Sequence, residues 1–167
     1  TQNRSFTYDN RGLLGTETHP EKGATGNGSV SYSLYDARGH ATRRSDGPND
    51  LTFVYDKAER LDLVRETGGD EPRTLKRFTY SSTAGPSLGK LLTAERYNYA
   101  IVGETAITGH VRETYDYLGR NGRVDTRTTE FFIDPSTTPT ETWEQGFEYT
   151  PLGDIDLIDY PHCTAGN

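Results

Sequence analysis

The residues whose chemistry most invites a function are four histidines, one cysteine, a spaced pair of aspartates and a single tryptophan. His19, His40, His110 and His162 are scattered, without the spacing of metal ligands. The His162–Cys163 dipeptide could touch a metal, but a loose tail is the plainer reading. Asp154 and Asp156 in "GDIDLIDY" would share one face of a strand, with Ile155, Leu157 and Asp159 on the other. Paired carboxylates can hold Ca²⁺ or hydrolyse glycosides. The same alternation also describes a solvated strand face, which is the simpler expectation. Ser87 in "AGPSLG" reads as turn chemistry. Neither G-x-S-x-G nor H-E-x-x-H occurs. The sequence therefore predicts no enzyme, no catalytic residue, no cofactor and no metal site, and a hydrolase using acidic pairs is a distant reading. Trp143, with Phe131, Phe132 and Phe147 near it in sequence, is the candidate ligand contact, since an exposed aromatic on a sheet can stack a sugar. Core packing is the stronger expectation for it. Asn3 and Asn27 open glycosylation sequons of the kind that chance supplies.

Those residues need elements to position them, and composition bounds the elements. The length of 167 residues suits one domain. Apolar residues make up only 31%, and the aromatics are 11 Tyr against 6 Phe and one Trp. Tyrosine buries a large ring while keeping a polar tip. Thin sheets with a partly wet aromatic core are expected. The formal net charge of −7 argues against a binder of phosphate backbones, so no nucleic-acid partner is expected. A lone cysteine excludes an intrachain disulfide. No apolar run reaches the length of a membrane-spanning helix. The absence of Met and of a leader suggests a piece of a longer polypeptide.

The organising signal is an internal repeat. "FTYDNRGLL", "SLYDARGHA" and "FVYDKAERL" share a Tyr, a following Asp and an apolar residue five places after that Asp, and the first two carry a Gly three residues after the Asp. The series of tyrosines is Tyr8, Tyr35, Tyr55, Tyr80, Tyr115 and Tyr149. Asp9, Asp36, Asp56 and Asp116 follow four of them, and Gly12, Gly39, Gly119 and Gly153 close four of the turns. Phe-x-Tyr has period two, so both rings point to one face of a strand. The Asp accepts backbone N–H groups in the turn. The Gly takes positive φ, as a type I turn with a bulge requires. Each unit is then a β-hairpin with one sticky face, marginal alone and stable when stacked. The predicted fold is all-β: stacked antiparallel hairpins forming a curved, repetitive sheet, a single array of about six units over residues 1–167.

Three units depart from the rule. Glu59 stands in a glycine position. The fourth unit has a longer loop with Gly85 and Pro86 before Gly89 and Leu91. In the fifth, with its turn expected at 116–119, Gly122 and Val124 look like a second, shifted copy of the glycine–apolar signal. Linkers are expected at 19–28, 45–50, 67–73 and 133–140. The first strand, "RSFTYD", carries no Pro or Lys, and the last, "DIDLIDYP", is capped only by Pro161. Bare edges of that kind seek another strand. A partner is therefore expected there: the remainder of a parent chain, or copies of the fragment, up to a fibre.

The repeated F-x-Y-D-x-x-G-x-L pattern, over about residues 5 to 160, resembles the YD-repeat or RHS-repeat family. Its members include bacterial Rhs toxins, the cocoon-forming component of insecticidal toxin complexes, wall-associated proteins and teneurins. The resemblance implies a hollow β-shell that encloses or displays another domain, in a secreted or cell-surface protein. It implies architectural roles for the tyrosines, aspartates and glycines of the repeat. The self-cleaving core motif of the Rhs toxins has no match here. The competing expectation is an extracellular module that binds glycan or a protein receptor through aromatics such as Trp143.

Overall fold

The computed structural model describes residues 3–22, 28–69, 71–102, 105–118 and 122–161. They form twelve strands, and the chain divides into two compact units, Thr1–Leu75 and Lys76–Asn167. The first unit holds β1 (Ser5–Tyr8), β2 (Leu14–Thr18), β3 (Ser29–Tyr35), β4 (Ala41–Asp46), β5 (Asn49–Tyr55) and β6 (Leu61–Glu66). The second holds most of β7 (Arg73–Tyr80), then β8 (Leu91–Val102), β9 (Thr105–Leu118), β10 (Arg123–Ile133), β11 (Glu141–Tyr149) and β12 (Ile155–Asp159). Within each unit the strands lie in sequence order, each hydrogen-bonded to its chain neighbours. The fold is the all-β stack of antiparallel hairpins that the repeat predicts. No helix among the described residues is long and apolar enough to cross a membrane.

The turn residues force the hairpins. In the first, second, third and sixth, two backbone hydrogen bonds close a four-residue turn, for example Asp36 N–H to His40 O at 3.0 Å and Gly39 N–H to Asp36 O at 3.2 Å. The pairing register slips at the repeat tyrosine, between Thr7 and Tyr8, Val54 and Tyr55, and Glu148 and Tyr149. That slip is the bulge demanded by a type I turn followed by a positive-φ residue. Gly39 has φ 94°, and Glu59 holds the same place in the third hairpin at φ 67°. The third turn therefore shares the geometry despite lacking glycine. The fourth hairpin keeps the closing bonds across its longer loop, with Ser81 N–H donating to Lys90 O.

The core is as thin as the composition predicts. Among the apolar residues described, only Val30, Leu63, Val64 and Phe132 are buried. Cross-strand polar pairs take over much of the cohesion, such as Thr7 Oγ1 with Thr16 Oγ1 at 2.6 Å and Thr79 Oγ1 with Thr93 Oγ1 at 2.6 Å. The stretch 45–50, expected as a linker, is instead a tight hairpin. β4 runs through Asp46, β5 starts at Asn49, and only Gly47 and Pro48 turn the chain.

Candidate functional site

The conserved geometry of the turns starts with their aspartates. Asp36 Oδ1 accepts the backbone N–H groups of Arg38 and His40, each at 2.9 Å, while Oδ2 meets His40 Nδ1 at 2.9 Å. Asp9 does the same for Arg11 and Leu13, and Asp56 for Ala58 and Arg60. Their second oxygens meet the Arg11 and Arg60 guanidinium groups. These bonds stabilise the ionised carboxylates. The His40 side-chain hydrogen bond, helped by two backbone N–H groups, brings Asp36 down to about 2. Asp9 and Asp56 are lowered too, chiefly by the Leu13 backbone and the Arg60 side chain respectively. Carboxylates engaged in this way act as turn caps. Thr150 Oγ1 serves the sixth turn, accepting from the N–H groups of Gly153 and Asp154 at 3.2 Å.

The repeat tyrosines tie each hairpin to the one before it. Tyr35 Oη donates to Leu14 O at 2.5 Å and Tyr55 Oη to Ala41 O at 3.1 Å. In the second unit Tyr117 Oη donates to Leu91 O at 2.8 Å and Tyr149 Oη to Val124 O at 2.7 Å. The acceptor is always the apolar residue two places after the turn glycine or its equivalent. The residue between them covers the ring: His40 stacks on Tyr55 at 4.7 Å, Lys90 Nζ lies 5.0 Å from the Tyr117 ring, and the Arg123 guanidinium lies 5.2 Å from the Tyr149 ring. Tyr8 is 63% exposed, and Tyr80 stands opposite Leu91.

This ladder corrects the fifth unit. The sequence pattern makes Tyr115 the repeat tyrosine and Asp116 its turn cap. Asp116 instead lies inside β9, opposite Thr126 of β10. The hydroxyl that reaches back belongs to Tyr117, which faces Val124. Tyr115 takes the place of the phenylalanine two residues earlier, and its hydroxyl donates to Glu113 Oε2 at 2.7 Å. Burial and that carboxylate raise Tyr115 to about 12. β9 thus continues to Leu118, past the expected turn, β10 starts at Arg123, and Gly122 just before it holds φ 56°. Gly119 lies outside the described residues, as do His162, Cys163 and Asn27.

The second unit also presents aromatic clusters. Phe132 is buried, and His110 stacks on it at 4.4 Å and on Tyr97 at 5.0 Å. Trp143 is not core: it is 50% exposed and meets Phe131 edge-on at 5.0 Å. Its direct partner on β10 is Thr129, too small to cover an indole. Gly109, on β9, leaves a cleft beside Phe131 that Asn98, Ile133, Thr140 and Glu141 also line. The Asp154 carbonyl accepts the Thr150 N–H at 2.9 Å in the sixth turn, and Asp154 and Asp156 are both exposed, as a solvated strand face requires. Among the described residues no group of three His, Cys, Asp or Glu side chains is placed to hold a metal ion.

Comparison with models of known protein families and with curated proteins finds no match.

Proposed function

We propose that this chain is a structural segment of a YD-repeat shell, a wall that encloses or displays another domain of a larger secreted or surface protein. The observation that carries the reading is the tyrosine ladder. Four hydroxyls, at Tyr35, Tyr55, Tyr117 and Tyr149, each fasten a hairpin to its predecessor. A hydrogen bond repeated at one place in four of the six units holds hairpins together across a thin core, which a wall needs and a catalyst does not. The test is to express the chain with the coding sequence on either side and image the product. Further hairpins of the same repeat, enclosing a protease-resistant domain, are expected. Flanking sequence without the repeat, or a product with no enclosed or displayed domain, overturns the reading.

A second reading is a binding module. The half-exposed Trp143, propped edge-on by Phe131, favours it. A folded Trp143→Ala variant that keeps all glycan and receptor binding of the original chain would sink it.

A further inference from the structure

The two faces of the second unit handle charge in opposite ways. On one face, a row across four strands alternates in sign: Arg77 opposite Glu95, Glu95 opposite Arg112, Arg112 opposite Glu130. The two pairs of Arg112 close, with Nε to Glu95 Oε1 at 2.9 Å and Nη1 to Glu130 Oε2 at 4.0 Å. The adjacent row on the other face breaks that rule. Lys76 on β7 stands directly opposite Arg96 on β8, and the row continues through Val111 to Phe131. Two cations directly opposed repel each other. Both are exposed, and neither side chain has an ion pair or hydrogen bond among the described residues.

The two cations stand over a cleft of about 270 Å³, floored by Phe78, Ala94 and Val111. Glu95 and Glu113 also border it, but both carboxylates are engaged: Glu95 by the Arg112 guanidinium at 2.9 Å and the Tyr97 hydroxyl at 2.6 Å, Glu113 by the Tyr115 hydroxyl at 2.7 Å and the Arg127 guanidinium at 3.6 Å. The charges at the cleft that have no partner among the described residues are thus both positive, and they stand above an apolar floor. Its volume is at the small end of ligand sites, the size of one ring rather than a folded partner. Arginine and lysine together suit a carboxylate, one as a planar fork and the other as a point charge. Phe78 and Val111 suit the apolar face of a pyranose.

We infer that Lys76 and Arg96 form a binding site for an acidic saccharide, a pyranose bearing a carboxylate. The carboxylate would sit between the two cations, and the ring would lie on Phe78 and Val111 toward Phe131. The inference deepens the binding reading, on which it rests through the shared sheet face, and is independent of the shell reading.

The probe is a glucuronate-containing tetrasaccharide, titrated against the same tetrasaccharide reduced to its neutral form. The original chain is expected to bind the acidic sugar and not the neutral one. Lys76→Glu is expected to weaken binding by at least about tenfold while raising the melting temperature, because it turns a repulsive cross-strand pair into an attractive one. Retention of the fold is thereby part of the readout. Equal binding of the two sugars, no binding of the acidic one, or unchanged binding in Lys76→Glu overturns the inference. So does an Asp-rich peptide that competes as strongly as the sugar, which would assign the cleft to peptides. Trp143→Ala separates the two claims: acidic-sugar binding lost in Lys76→Glu but intact in Trp143→Ala keeps the cleft and removes the tryptophan.

Discussion

Glu59 shows how much of this fold is decided by single backbone angles. It holds φ 67° in a place where the second hairpin has Gly39 at 94°. A side chain in that region costs of order 1 kcal/mol. Glu59 recovers part of this through Arg38 at 3.0 Å and His40 at 3.7 Å, exposed pairs that contribute little. Glu59→Gly should therefore be neutral or stabilising by up to about 1 kcal/mol, whereas Gly39→Val should cost roughly 1–3 kcal/mol. Urea denaturation midpoints read both, and a clear loss in Glu59→Gly would mean that its side chain holds the third turn. The aspartate caps make a separate claim about pH. Asp36 goes from an ordinary 3.8 to about 2 in the folded chain, so folding favours its ionised form. Its contribution is complete above the unfolded value and disappears as pH falls through the folded one. Melting temperature should thus drop between about pH 4 and about pH 2, and Asp36→Asn should flatten that part of the profile. An unchanged slope in Asp36→Asn would remove the cap from the account of acid stability.

At the scale of the element, the hairpins are separable parts and the tyrosine hydroxyls are their fasteners. Tyr149→Phe leaves the Val124 carbonyl without its donor and should cost about 1 kcal/mol, as should Tyr117→Phe at Leu91. Tyr8→Phe is the comparison: that ring is 63% exposed and its change should fall within about 0.5 kcal/mol of zero. Equal effects at Tyr8 and Tyr149 would show that the hydroxyl bonds carry no stability. The positions of these fasteners mark what a sequence can and cannot disclose. Turns at 9–12, 36–39, 56–59 and 150–153 were legible because Asp and Gly, or their substitutes, act on their own backbone within four residues. The reach of each hydroxyl to the previous hairpin is a contact between elements, and no local pattern encodes it. In the fifth unit the local pattern pointed the wrong way. Asp116 after Tyr115 imitates the signature, while the true tyrosine, Tyr117, is followed by Leu118. The shifted glycine–apolar copy at Gly122 and Val124 was the signal for a later turn. The Lys76–Arg96 opposition was equally out of reach, since it depends on the register of β7 on β8.

At the scale of the whole molecule the question is what covers the outer strands. β1 in the first unit pairs only with β2, and β12 in the second pairs only with β11, among the described residues. Every residue of β1 is exposed, and on β12 Ile155 and Leu157 are both more than half exposed. Their outward N–H and C=O groups meet no strand, and neither edge carries the lysine, proline or bulge-rich outer rim with which sheets discourage pairing. Asp154, Asp156 and Asp159 give the β12 edge a negative character, while Arg4, just before β1, is paired with Glu21 at 2.5 Å. Carboxylates on both partners disfavour β12 beside β12, which favours one copy's β12 beside another's β1. Such a contact is head-to-tail, and it produces open chains when its rotation does not close a ring. The chain is therefore expected to associate as concentration rises, with a sedimentation coefficient that increases across the series. Leu157→Lys places a gatekeeper on the β12 edge and should leave a monomer with an unchanged melting temperature, because Leu157 is already half in water. A compact monomer at every concentration, with rapid amide exchange along both β1 and β12, would show that the edges are tolerated bare. Association that survives Leu157→Lys would place the contact on another surface.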